Sequence, residues 1–286
     1  MKTTIIGLGL IGGSIALSLK NMKFATEIIG VDNNPDNAQF ALDKGIVDQI
    51  YPIDKAIRDA DLIIIAIPVD KTSVFLPYIL SEKKYNAVVT DMGSTKYSIC
   101  KSVENHPNRE WFVASHPMAG TENSGPSAAF DGLFEEKTTI ICEKEKSNSF
   151  AYNLIKDMYI CLKMKLIEMN PQEHDMHVAY VSHISHISSF ALANTVLEME
   201  VNHENIFNLA GGGFESTVRL AKSSPEMWSP IFLQNKKFIV EAIEQYIKHL
   251  NQFLNNIKQE DVLKTKEIMI EANQIRRVLD NIKVTK

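Results

Sequence analysis

The chain has 286 residues, 45% hydrophobic and 23% charged, an ordinary globular composition with material for one large domain or two of usual size. A net charge of −5 excludes the broad basic face that nucleic acid requires. Cys100, Cys142 and Cys161 are odd in number and lack metal-like spacing, so they frame no disulfide scaffold and point to a reducing, cytoplasmic setting.

Residues 2–19 have the outline of a secretory signal, but Gly7, Gly9, Gly12 and Gly13 interrupt the apolar run and no small-residue cleavage site follows. No other segment approaches the ~20 uninterrupted apolar residues of a membrane span, so no membrane partner is expected. Residues 3–8 read as a strand, 11–20 as a helix and 27–31 as a second strand. A helix over 35–44 follows, with Pro35 suited to its first turn and Gly45 to its stop. Residues 61–69 are apolar on both faces, as in a central strand covered by helices. Strands over 87–90, 111–114 and 138–142 continue a series that implies a doubly wound, mostly parallel sheet.

The texture changes near residue 170. Asn170, Pro171 and Glu173 make a helix start: a capping side chain, proline at the first helical position and an acid three residues after the cap. Beyond it the pattern is helical. Residues 177–199 are apolar around most of their circumference, which predicts central burial, and 227–255 and 262–282 carry helical periodicity with more charge. The expected architecture is an α/β domain over 1–170 and an all-α domain over 171–286, the latter also carrying a subunit interface.

Gly7, Gly9 and Gly12 form GxGxxG, with Leu10 and Ile11 inside it, between the first strand and helix. The first glycine permits a tight turn, the second lets backbone approach a pyrophosphate, and the third lets helix pack on strand. The helix N-terminus offers unpaired N–H groups to phosphates. Asp32 stands twenty residues after Gly12 at the end of the second strand, where an acid binds ribose hydroxyls and repels a 2′-phosphate. This is a Rossmann-type site for NAD rather than NADP.

Ser94 lies in the segment 91–96 (DMGSTK) after a strand, where ligands of open α/β sheets collect; its plain alternative is a turn residue capping a helix. His116 follows another strand in the segment 115–122 (SHPMAGTE). A neutral imidazole with a pKa near 7 there is a natural acceptor for a hydroxyl proton. His183 and His186 share a helix face. They would need a third ligand to hold a metal, and His174, His177 and Glu173 lie roughly 10 to 15 Å upstream along the axis, so no metal is expected. Arg219 follows the glycines at 211–213; its planar fork suits a carboxylate, and a salt bridge within the chain is the alternative.

Together the segments GLGLIGGS, DMGSTK, SHPMAGTENSG, SHISH and GGGFESTVRLAKSSPEMW resemble the prephenate/arogenate dehydrogenase family over nearly the whole chain. The resemblance implies oxidative decarboxylation of prephenate to 4-hydroxyphenylpyruvate with reduction of NAD, in tyrosine biosynthesis. His116 would take the ring-hydroxyl proton, with Ser94 sharing that hydrogen bond and bordering the cofactor. Arg219 would hold a substrate carboxylate. His186, with Ser182 and His183, would line the pocket, Thr121 and Glu122 would close over it, and Trp228 would reach it from a partner subunit. Members are homodimers built through the helical domain. Some append a regulatory domain; with none here, feedback by tyrosine would act at the active site. The rivals are arogenate as substrate, another two-domain dehydrogenase acting on a β-hydroxyacid or an imine, and a non-catalytic NAD-binding sensor.

Overall fold

In the computed structural model, which describes residues 1–201, 203 and 205–280, strand and helix alternate through the first half of the chain. β1 (Lys2–Ile6), α1 (Leu10–Asn21), β2 (Glu27–Val31), α2 (Pro35–Asp43), β3 (Gln49–Ile50), α3 (Ile53–Asp59), β4 (Leu62–Ile65) and α4 (Val69–Glu82) come first. β5 (Val88–Asp91), α5 (Tyr97–Ser102), β6 (Phe112–Pro117), β7 (Thr138–Cys142), α6 (Ser149–Cys161) and β8 (Lys165–Met169) complete it. The strands form one eight-stranded sheet, ordered β3-β2-β1-β4-β5-β6-β7-β8, parallel except where β7 meets β6. Because β1 lies between β2 and β4, the chain leaves it in opposite directions, and a crevice opens at the carboxyl ends of β1 and β4.

The interior strands are apolar on both faces because both are covered. Ile5, Ile64, Val88 and Val113 share one layer with Ile15, Ile155 and Met158. Ile6, Ile63, Val89 and Phe112 share the other with Ile57, Leu76 and Ile99. The strand expected over 61–69 stops at Ile65, and Val69 opens α4. Pro68 has no N–H to give a ladder, so the apolar run passes from strand into helix there.

Asn170 caps α7 (Pro171–Val178) as the sequence implies, accepting from the Glu173 N–H at 2.8 Å. A single π-helical turn, Ala179–His183, then leads into α8 (Ile184–Glu200). α9 (Gly212–Val218), α10 (Pro225–Gln234), α11 (Lys236–Lys258), α12 (Val262–Ala272) and α13 (Arg276–Leu279) follow, and no strand occurs after β8 among the described residues. The helix expected over 177–199 is therefore interrupted. It is also not buried: within α8 only Ser189 is enclosed, while Leu197 is 50% and Met199 48% exposed. Its apolar side chains outnumber the neighbours that the folded chain supplies. The helix expected over 227–255 breaks at Asn235, whose amide turns inward to the Asp175 carbonyl. The one expected over 262–282 is regular only to Ala272, and positions 281 and 282 lie outside the described residues.

Two compact units result, one of Met1–Ile239 and one starting at Val240. In the first, Trp228 and Ile231 of α10 join the sheet layer that contains Leu76. In the second, Ile247, Leu250, Leu254 and Ile257 form an exposed apolar stripe along α11, and the Asp261 side chain caps α12. No helix among the described residues is long and apolar enough to cross a membrane.

Candidate active site

The β1–α1 turn is shaped by what its glycines lack. Gly7 holds φ at 94°, and a Cβ on it would sit 2.5 Å from the Ala66 carbonyl oxygen. A Cβ on Gly12 would meet the Gly7 carbonyl oxygen at 1.9 Å, so helix and strand approach only because it has none. Gly9 differs: nothing lies within 4 Å of where its Cβ would be. That open face adjoins the uncapped N-terminus of α1, where Leu10 and Ile11 begin the helix with no acid in the first turn. The Asp32 carboxylate accepts from the Leu8 N–H at 2.8 Å and the Asn34 N–H at 2.9 Å, which fixes it beside the turn. Each oxygen keeps a lone pair for a ribose hydroxyl. Open backbone for phosphates and an anchored acid for a ribose fit an adenine dinucleotide.

β1, β4, β5 and β6 are parallel, so their carboxyl ends share one sheet edge. Asp91 ends β5, and the loop after it carries Ser94 and Lys96. Lys96, fully buried, pairs with Asp91 and donates to the Ser115 carbonyl at 2.6 Å. The Ser115 hydroxyl donates to the Asp91 carbonyl at 2.8 Å and touches the Tyr159 hydroxyl at 2.6 Å. This buried network ties the Ser94 loop to the strand that delivers His116.

His116 is 8% exposed, and burial, the neighbouring His174 and the Lys96 charge hold its pKa well below 6.5. The expected value near 7 is thus too high, because a site that excludes water penalises the imidazolium. His116 Nδ1 lies 2.8 Å from His174 Nε2, and His174 Nδ1 lies 2.7 Å from the Asp175 carboxylate. That carboxylate also accepts from the backbone N–H groups of Lys96, at 2.7 Å, and Tyr97, at 3.0 Å, at the start of α5.

The helices of this unit supply the opposite wall. His183, 1% exposed with its pKa lowered to about 4 by burial, takes a hydrogen bond at Nδ1 from Asn235 at 3.1 Å, and its Nε2 has no partner. The same Asn235 amide donates to the Asp175 carbonyl at 2.7 Å. His186 Nδ1 donates to the Ser182 carbonyl at 3.1 Å and its ring stacks on Trp228. Trp228, expected from a partner subunit, belongs to the same chain as His186: it lies on α10, is 7% exposed, and its Nε1 has no partner. Thr121 accepts from the Asn123 N–H at 3.2 Å. Arg219 forms an ion pair with Glu122 at 2.6 Å. The carboxylate its fork grips within the chain is thus that of another expected site residue.

The structure therefore links His116, His183, His186 and Trp228 through contacts, holds the loop bearing Ser94 to them through Lys96, and pairs Arg219 with Glu122. Sequence reasoning missed Asp175, Asn235 and the buried role of Lys96, and weighed His174 only as a metal ligand. The Asn170 cap was the available signal, since it sets His174 and Asp175 in the first two turns of a helix. Among the described residues no group of three or more His, Cys, Asp or Glu is placed to hold a metal.

A glycine-rich βα turn and a buried imidazole on one edge of a mostly parallel sheet are the working parts of a nucleotide-dependent oxidoreductase. The family models for the prephenate dehydrogenase nucleotide-binding domain and dimerization domain match residues 15–168 and 170–271. Prephenate dehydrogenase of Bacillus subtilis is 35% identical over 266 residues, covering 91% of this chain and 72% of that one. The Lactococcus lactis enzyme of the same name is 32% identical over 282 residues, covering 98% and 77%. The crystal structure of the Aquifex aeolicus prephenate dehydrogenase with hydroxyphenyl propionate and NAD+ superposes with a TM-score of 0.87 at 32% identity, covering 98% of each chain. The chain belongs to the prephenate dehydrogenase family.

Proposed function

We propose that the chain catalyses NAD-dependent oxidative decarboxylation of prephenate to 4-hydroxyphenylpyruvate, a step in making tyrosine. The observation that carries this reading is His116, a buried imidazole kept neutral at the sheet edge that also holds the nucleotide cradle. When bound, NAD supplies the two-electron acceptor for the carbinol carbon of the substrate. His116 accepts the proton of the ring hydroxyl, and Ser94 shares that hydrogen bond. The ring then loses carbon dioxide, and the electrons of the broken C–C bond complete the aromatic system.

Arg219 grips a substrate carboxylate through its fork, exchanging Glu122 for substrate. His186, Ser182 and His183 line the substrate pocket, with Trp228 as the apolar platform beneath His186. Thr121 and Glu122 close over it. Gly7, Gly9, Leu10, Ile11 and Gly12 receive the pyrophosphate, Ser94 borders the nicotinamide, and Asp32 selects NAD over NADP.

This reading assigns NAD binding to residues 1–170 and substrate binding with dimerisation to residues 171–286; the matched spans support that division. A homodimer built through the helical part would cover exposed apolar residues such as Val181 and Leu197. Three free cysteines suit a cytoplasmic enzyme, and the negative net charge suits a small-molecule substrate rather than nucleic acid.

The test is the appearance of NADH with purified protein, NAD and prephenate, with arogenate and NADP in parallel. Strong turnover of prephenate with NAD supports the reading. A larger signal with arogenate or NADP moves the specificity, and NAD binding without turnover of either substrate would make the chain a sensor.

A further inference from the structure

The buried pair His174 and Asp175 has no place in the roles assigned so far, yet its geometry reaches the reacting nitrogen. His174 is fully enclosed and Asp175 is 2% exposed. The Asp175 carboxylate already accepts from the N–H groups of Lys96 and Tyr97, so it acts as an acceptor and the proton shared with His174 resides on His174 Nδ1. A neutral imidazole protonated at Nδ1 has only a lone pair at Nε2. His174 Nε2 must therefore accept from His116 Nδ1, 2.8 Å away. His116 in turn is left with its lone pair at Nε2.

We infer that His174 and Asp175 are positioning residues that hold His116 in the Nδ1–H tautomer and so present a bare Nε2 to the substrate hydroxyl. This rests on His116 being the base, as proposed above. The logic is that of a carboxylate orienting a catalytic histidine, extended by one imidazole. Proton bookkeeping closes: the hydroxyl proton goes to His116 Nε2, and the resulting imidazolium keeps Nδ1–H bonded to His174, whose own Nδ1–H faces the Asp175 carboxylate. Positive charge forming on His116 thus meets an aligned dipole and then an anion, without any group having to rotate.

The sequence places the relay with care. Asn170 starts α7, so positions 174 and 175 fall in its first turns, and Asp175 also caps α5 immediately after the Ser94 loop. Loop, base and relay are thereby fixed to one carboxylate.

The test reads the tautomer directly. Long-range proton–nitrogen correlation spectra of the full-length, ¹⁵N-labelled protein show which ring nitrogen of each histidine bears hydrogen, and His116→Asn identifies the His116 signals. The inference expects His116 protonated at Nδ1 in the native chain, and a shift toward the Nε2–H form or a mixture in His174→Phe. In Asp175→Asn an amide N–H can face His174 and reverse the relay, so the Nε2–H form should dominate. A native His116 protonated at Nε2 overturns the inference, as does an unchanged tautomer in both variants. Should Asp175→Asn fail to fold, His174→Phe decides alone, since it leaves the α5 cap in place. In turnover assays the variants should lose about 10²-fold or more in kcat with NAD affinity and substrate KM little changed. The spectra need no substrate, so a chain that does not turn over prephenate could still pass or fail this test.

Discussion

The imidazole of His186 lies against the indole of Trp228, ring centroids 3.5 Å apart and planes inclined by 28°. The indole is enclosed, its N–H is unpaired, and Phe232 and His183 pack on its other sides. One aromatic side chain therefore sets the position of two histidines of the site. Trp228→Phe keeps a ring but shortens the platform, and should raise the substrate KM by about 10-fold while leaving NAD affinity intact, 1.4 kcal/mol being the worth of one modest aromatic contact. Steady-state kinetics with a fluorescence titration of NAD checks it; equal loss of both affinities would remove Trp228 from the substrate side.

His116→Asn should lower kcat by about 10²–10⁴ with NAD binding retained, the usual value of a positioned base. In the native enzyme burial keeps His116 neutral, so the acidic fall of kcat/KM should lie below pH 6.5, the ordinary histidine value. A fall centred at or above that value would mean that His116 is not the titrating base.

The glycines make a sharper pair. Gly12→Ala has no room, with the Gly7 carbonyl oxygen 1.9 Å from the added carbon, and should unfold or strongly destabilise the chain. Gly9→Ala meets nothing within 4 Å and should fold with an unchanged thermal midpoint, yet lose NAD affinity because the methyl group stands where phosphate approaches. Thermal melts with and without NAD separate the two cases. NAD affinity unchanged in Gly9→Ala would move the nucleotide elsewhere.

Arg219 and Glu122 face solvent, and exposed ion pairs contribute little to stability. Arg219→Ala should leave the melting temperature near its native value and raise the substrate KM. Arg219→Lys should recover little of that loss, because an ammonium cannot reproduce the two-toothed grip. An unchanged KM in Arg219→Ala would reduce the residue to its partnership with Glu122.

Stability should fall in acid through the buried histidines. His183 has a folded pKa of about 4 against 6.5 unfolded, so the unfolded chain binds the extra proton as pH drops between them. Above about pH 6.5 the residue is neutral in both states and adds no pH-dependent penalty. As pH falls to about 4 the loss grows to roughly 3 kcal/mol from this residue. Urea midpoints of His183→Gln should decline less steeply than those of the native protein between about pH 7 and pH 4.5; parallel slopes would contradict it.

The nucleotide half was legible because its signals are local. GxGxxG, Asp32 and the apolar runs each depend on neighbours within one strand–turn–helix unit, and the sheet follows from their order. The ends of elements were harder: Pro68 turned an apolar run from strand to helix. What escaped entirely was long-range. Asp175 caps a helix 78 residues earlier in the chain, and Asn235 joins the Asp175 carbonyl to His183 across 60 and 52 positions. No periodicity encodes such bonds. The burial assigned to α8 failed for a related reason: apolar composition says that a face seeks cover, not that the same chain provides it.

The π turn at Ala179–His183 stands between the His174–Asp175 pair and the helix bearing His186. It acts as a phase adjustment. An α-helix advances about 100° per residue, so one additional residue in a turn redirects every side chain that follows relative to those before it. Two groups of histidines that a continuous helix would aim in different directions can then serve the same reaction. The widened turn matters as a length, not as a residue type: removing any one position from 179 to 182 would rotate His186 off its indole even though every histidine in the chain would be kept.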